Sequence, residues 1–281
     1  MDTLNVENIF NSKDAILLAA MCYQTYPFFE EGKLVLPKGF ELRYTIRAIA
    51  GVENPTEEVF GFIAESEDRI VVAFRGSDSP QDLDSDFDFF QVPYPFVENG
   101  GETHRGFTCI YKSTRNSLIR ELNKLSNKKR LFVTGHSLGA ALATLFTLDI
   151  AVNTKFKNPI VYTLASLRVG DPDFASQFNR TVKNSVRIFN VHDPIPTFPN
   201  RLYPPPFTEE GLVYQHVSRK FPLSFQLNNM PLNHRINCYF KNLSKKNPAY
   251  AKALCNTNPG FCPNTETCHP FKGTCGEKNS M

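Results

Sequence analysis

Tryptophan is missing from the 281 residues. So is any apolar run of the roughly 18–20 residues that would span a bilayer. Charge of one sign is also scarce: 31 basic against 28 acidic residues leave a net +3, with no basic face, which argues against a nucleic-acid partner. No internal repeat is visible, so solenoids and propellers are excluded. No two of the seven cysteines form a Cys-x-x-Cys pair, which removes the commonest zinc frameworks. What remains is a composition of 41% hydrophobic and 21% charged residues, enough for one large α/β domain or two small ones. Phenylalanine, at 25 residues, supplies most of the aromatic core.

The segment Ala15–Tyr23 is apolar, but Asp2, Glu7 and Asp14 outweigh Lys13 around it, unlike the basic leader of a signal peptide. It predicts an amphipathic helix capped by Asn11 or Ser12 and packed on the core. Four cysteines crowd the other end, Cys255, Cys262, Cys268 and Cys275, with intervals of six, five and six residues. That segment is rich in Pro, Asn, Thr and Gly and cannot form a core without staples. Two disulfides are expected there, with three pairings open. Cys22, Cys109 and Cys238 are expected to be free buried thiols. The acidic N-terminal stretch points to a cytoplasmic protein and the cysteine-rich tail to an extracellular or other oxidising compartment.

Between these ends, strands and helices alternate. Strands are predicted at Val59–Glu65, Arg69–Phe74, Leu131–Thr134, Ile160–Ala165 and Val186–Val191. Helices are predicted at Gly106–Asn127 and Leu138–Ala151, with a short one after Gly170-Asp171-Pro172. This order calls for an α/β fold with a mainly parallel, doubly wound sheet. The proline-dense stretch Asp193–Phe207 should be irregular and run over the face where the strands end. A domain over 1–250 and a tail over 251–281 follow.

One stretch stands out. Val133-Thr134 leads into Gly135-His136-Ser137-Leu138-Gly139 and then into Ala140-Ala141. A β-branched run, a Gly-x-Ser-x-Gly turn and a small-residue helix start are what a nucleophile elbow requires, since it must lift a serine hydroxyl clear of the sheet. A serine needs a base, and the base needs an orienting acid. Asp193 is the best acid, one turn past a strand, because Asp149 is mid-helix and Asp171 belongs to the preceding turn. His192 abuts that acid and His269 lies in the tail, which leaves His216 and His234 as contenders for the base. His136 should point away from Ser137. The N–H of Leu138, at a helix start, and Ser77, in the turn Arg75-Gly76-Ser77 after a strand, can serve as oxyanion donors.

Taken together, these blocks resemble the class 3, fungal-type triacylglycerol lipases of the α/β-hydrolase superfamily. The resemblance rests on Phe74-Arg75-Gly76-Ser77, His104-Arg105-Gly106-Phe107, the Gly135–Gly139 elbow, Arg168-Val169-Gly170-Asp171 and Asp193-Pro194-Ile195-Pro196, over about residues 60–240. It implies an α/β-hydrolase fold, a triad of Ser137, Asp193 and His234, oxyanion donors Ser77 and Leu138, and a structural role for Tyr214-Gln215-His216. The substrate class it implies is a lipid or other ester met at a lipid–water interface, with phospholipase A1 or short-chain or aryl esterase activity as alternatives and a non-catalytic binding protein beyond them. No metal or organic cofactor is implied. The tryptophan usual after the oxyanion turn is replaced by Leu83, and the cysteine-rich tail is no part of the family pattern.

Residues 78–92 alternate Asp82, Asp84, Asp86 and Asp88 with apolar residues. They lack the glycine and distant glutamate of a calcium loop. On a helix, Leu83, Phe87 and Phe90 fall at i, i+4 and i+7 and form one apolar stripe. By the resemblance this is a lid over the serine that turns toward lipid at an interface.

Overall fold

A computed structural model of the chain describes residues 6–50, 55–77, 89–203, 211–217 and 219–270. In chain order its strands are β1 (Glu41–Ala50), β2 (Thr56–Glu65), β3 (Arg69–Phe74), β4 (Gln91–Pro93), β5 (Glu102–His104), β6 (Arg130–His136), β7 (Ile160–Leu164), β8 (Asn184–Asn190), β9 (Leu202–Tyr203), β10 (Leu212–Val213) and β11 (Lys220–Leu223). The helices are α1 (Ser12–Glu30), α2 (Arg105–Asn123), α3 (Leu138–Asn153), α4 (Pro172–Thr181), α5 (Met230–His234), α6 (Ile236–Ser244) and α7 (Pro248–Thr257).

Seven strands form one sheet in the order β1-β2-β3-β6-β7-β8-β11. The first two pairings are antiparallel and the remaining four parallel. The central strands read as unbroken apolar runs because both their faces are covered. In β3, Ile70, Val72 and Phe74 join the core under α2, α3 and α4, while Val71 and Ala73 join the core under α1, α6 and α7. The result is an α/β-hydrolase fold with a mainly parallel sheet between two helical layers. None of the described helices is long and apolar enough to cross a membrane.

Two edge strands were not anticipated. In β1, register shifts at Leu42/Tyr44 and Ile46/Arg47 break the two-residue alternation that betrays a strand. In β11, Pro222 removes a ladder donor, which is tolerated because the strand pairs only with β8. Asn11 caps α1 as expected, its Oδ1 accepting from the amides of Lys13 at 2.9 Å and Asp14 at 3.1 Å. That helix is not amphipathic, however: every residue from Ala15 to Cys22 is buried, because the sheet lies on one side and α6 and α7 on others.

The tail is fastened from two directions. One disulfide, Cys255–Cys262, closes a loop within it, and the other, Cys238–Cys268, ties it to α6. Cys238 is therefore not the free thiol expected; it sits at the buried face of α6, where the tail folds back on it. Cys109 is free but exposed, correcting the expectation of burial, whereas Cys22 is free and buried. Cys275 lies outside the described residues. Phe261 is wholly buried between the fasteners, and Gln24 of α1, itself buried, donates to the carbonyls of Gly260 (2.9 Å) and Phe261 (2.8 Å). Emptying that socket leaves a cavity against α1. Phe261→Ala is expected to lower the free energy of unfolding by about 3–5 kcal/mol, seen as a fall in the urea midpoint at unchanged slope.

Candidate active site

The elbow is set by how closely two backbones approach. A Cβ on Gly135 would lie 2.1 Å from the Gly139 carbonyl oxygen, and one on Gly139 would lie 2.3 Å from the Phe74 carbonyl oxygen. Only glycine lets the start of α3 pass under the ends of β3 and β6. Ser137, between them, takes φ 56° and ψ −125°, a conformation that costs a non-glycine residue about 1–3 kcal/mol. The turn survives because α3 is anchored so deeply that all residues from Leu138 to Ala151 are buried. Its two buried threonines donate to carbonyls one turn back, at 2.8 Å for Thr144 and 2.6 Å for Thr147. Asp149 is held by Arg115 (2.5 and 2.9 Å), Tyr111 (2.6 Å) and Asn153 (2.7 Å).

Asp193, just past β8, is buried. Its Oδ1 accepts from the Ile195 amide at 3.0 Å and its Oδ2 from His234 Nδ1 at 2.7 Å and the Tyr239 hydroxyl at 2.8 Å. The Nδ1–H of His234 is thereby committed to the carboxylate, which leaves Nε2 to face the cavity. Ser77, Ser137 and His234 line one cavity of about 370 Å³. The Ser137 hydroxyl is buried there and makes no hydrogen bond to any described residue. Leu138 opens α3, so its amide is among the first-turn N–H groups that a helix leaves without an internal acceptor. Arg75 fixes the turn before Ser77. Its guanidinium pairs with Glu58 at 2.8 Å, donates to the Val59 carbonyl at 3.0 Å, and lies 3.6 Å over the Phe29 ring.

His136, expected to point away from Ser137, lines the same cavity as that serine with its ring 4.7 Å from the His234 ring, and it does something the sequence did not disclose. Its Nε2 lies 2.8 Å from the His234 carbonyl, which can only accept, so Nε2 carries the proton. Complete burial, then the charge of neighbouring His234, hold its pKa well below the usual histidine range, so the ring is neutral. Nδ1 therefore accepts from the Tyr26 hydroxyl at 2.7 Å. Two asparagines also escaped sequence reading. Asn190 ends β8, and its side chain donates to the carbonyls of Phe225 (2.9 Å) and Asn233 (3.1 Å) and accepts from the Phe225 amide (3.1 Å). Asn233 donates to the His192 carbonyl at 3.1 Å and accepts from the Leu227 amide at 2.9 Å. The only signal for either was a polar residue where a buried strand or a histidine loop begins or ends.

The rival base, His216, is half-buried, its Nε2 donating to the Pro196 carbonyl at 2.7 Å. Tyr214 is fully buried and donates to the Phe89 carbonyl at 2.8 Å. The other motif blocks are also ties. His104 caps α2 and stacks on Phe107 at 4.0 Å, Arg168 donates to the carbonyls of Thr197 and Pro199, and Asp171 caps α4. Leu83, Phe87 and the aspartates Asp82 to Asp88 lie outside the described residues. Phe90 is described; it is exposed and stacks on Phe89, which stacks on Tyr203. Among the described residues no group of acidic, histidine or cysteine side chains could hold a metal ion.

Residues 71–203 match the family model described as Lipase (class 3). The lipase of Rhizomucor miehei is 36% identical over 48% of this chain and 39% of its own length. Phospholipase A1-IIgamma of Arabidopsis thaliana is 30% identical over 64% of this chain and 51% of its own length. The chain thus spans about half or less of these relatives. In fold it is similar to a solved structure of a mutant form of the Penicillium cyclopium protein MDLA, with a TM-score of 0.59 and 24% identity over 82% of this chain and 83% of that one.

Burial, then the charges of Arg187 and Arg168, push His216 down to about 3 from an ordinary 6.5. The unfolded chain takes up a proton there near the ordinary value while the folded chain does not, so stability falls as pH drops through that window. Urea midpoints measured from about pH 7 to about pH 4 should therefore decline, and His216→Gln, which retains a donor for Pro196, should make the decline shallower.

Proposed function

We propose that the chain, whose residues 71–203 match the class 3 lipase model, is a serine carboxylic-ester hydrolase acting on lipid esters. The observation that carries the reading is the buried contact of 2.7 Å between Asp193 Oδ2 and His234 Nδ1, in a side chain that lines the same cavity as Ser137. Ser137 Oγ attacks the ester carbonyl as its proton passes to Nε2 of His234. The hydroxyl, which no described residue holds, closes onto that nitrogen as the ester enters. Asp193 holds the imidazole in the tautomer that leaves Nε2 basic, and it stabilises the imidazolium that forms. The oxyanion is received by the Leu138 amide, at a helix start where the dipole favours negative charge, and by Ser77. His234 then returns the proton to the departing alcohol, and water cleaves the acyl-enzyme by the same route in reverse.

The two disulfides support folding in an oxidising compartment.

A fluorophosphonate probe should label the wild-type protein on Ser137 and fail to label Ser137→Ala. Hydrolysis of a nitrophenyl butyrate by Ser137→Ala and by Asp193→Asn should fall by about a thousandfold or more, with the melting temperature of Ser137→Ala retained. Labelling elsewhere, or undiminished turnover in Ser137→Ala, would refute the assignment.

A further inference from the structure

The cavity that holds Ser137 has walls of opposite charge. One wall is the C-terminal end of α1, where Glu30 and Glu31 reach the cavity beside Tyr23 and Tyr26. The other is the junction of α5 and α6, where Arg235 is the N-cap residue of α6. All three charged side chains are exposed, and none forms an ion pair with any described residue, nor do they pair with each other across the cavity.

Each of these charges stands at the helix end that disfavours it. A helix C-terminus carries partial negative charge, yet α1 ends in two adjacent acidic residues with no basic residue in its last turn. A helix N-terminus carries partial positive charge, yet α6 is capped by an arginine with no acidic residue in its first turn. Local stability would be better served by the reverse arrangement at both ends. The two misplacements face one cavity, where each helix dipole reinforces the charge beside it. The consequence is a negative wall and a positive wall in the cavity that holds the nucleophile. The negative potential reaches Tyr23, whose phenol is held above its ordinary pKa first by burial and then by Glu30 and Glu31.

An uncharged triacylglycerol filling this mouth would strip water from three charges that no described residue pairs, and return nothing. A ligand carrying both signs at short spacing compensates both walls at once. We propose that the mouth of the cavity is a head-group subsite for zwitterionic glycerophospholipids, in which Arg235 binds the phosphate and Glu30 and Glu31, flanked by the Tyr23 ring, bind the ammonium group. Arginine suits a phosphate through its planar fork of donors, and an aromatic face beside carboxylates suits a quaternary ammonium. The proposal rests on the hydrolase reading above for the identity of the scissile ester, and adds to it which alcohol side is preferred.

The test uses kcat/KM on dihexanoylphosphatidylcholine and dihexanoylglycerol, both below their aggregation limits. Wild-type protein should prefer the phosphatidylcholine, and Arg235→Glu should cut that preference by roughly tenfold or more. The paired change Glu30→Gln with Glu31→Gln should shift the preference from phosphatidylcholine toward dihexanoylphosphatidylglycerol, which lacks the cation. Ratios unmoved by both changes overturn the subsite while leaving the hydrolase reading intact. A second arm needs no turnover: phosphocholine titrated into the Ser137→Ala protein, followed by NMR, should bind, and Arg235→Glu on that background should weaken it by roughly tenfold. Absence of phosphocholine binding overturns the subsite whether or not esters are cleaved; absence of fluorophosphonate labelling overturns the hydrolase reading alone.

Discussion

The structure turns on one contact between backbones, where Gly139 at the start of α3 passes beneath the carbonyls of Phe74 and Arg75. The serine side of the candidate site is placed by it. It brings the start of α3 beside the end of β3, so that Ser137 and Ser77, far apart in the chain, line one cavity. It also holds Ser137 in the left-handed region, which presents the hydroxyl to that cavity instead of folding it into a regular cap. The cost of that conformation is met by burial of α3 on all sides, and by the polar residues within it that find partners without leaving the core.

The second constraint is polar wiring. Asp193 follows β8 and His234 ends α5, and two asparagines tie these segments together. Asn190 and Asn233 each bond to both, while the Tyr239 hydroxyl accepts from the Asn190 amide at 2.8 Å and donates to Asp193. Because these buried groups satisfy one another, movement of either segment would strand several of them at once. His136 extends the same network to Tyr26, so α1 is joined to the histidine loop through the elbow itself.

Much of this was legible in the sequence, for identifiable reasons. β3, β6 and β7 were readable because burial on both faces leaves continuous apolar runs. The elbow was readable because close approach permits few residue types. The choice of Asp193 followed from its place after β8. Residue pattern left His216 and His234 as contenders, with His234 favoured by its place before the apolar run from Ile236 to Phe240, and the resemblance strengthened that ranking. The asparagine ties were not legible, because an asparagine bonding across 43 positions leaves the same mark as one in a turn. Nor was the partner of Cys238: the tail cysteines were grouped by proximity in sequence, whereas the chain folds the tail back onto α6, so that proximity in space decided the pairing.

That pairing gives the tail a structural consequence beyond closing its own loop. Only three residues separate His234 from Cys238, and Tyr239 follows directly. Anchoring Cys238 to Cys268 therefore braces the helix that is capped by Arg235 and carries the hydroxyl bonded to Asp193. Gln24 binds the tail from the opposite side, within one turn of Tyr23 and Tyr26. Both walls of the cavity, the end of α1 and the start of α6, are thus held by the same segment, which lies outside the 71–203 match to the family model. The tail in this way supports the surfaces that face Ser137, and a change in cavity charge needs no alteration of the elbow.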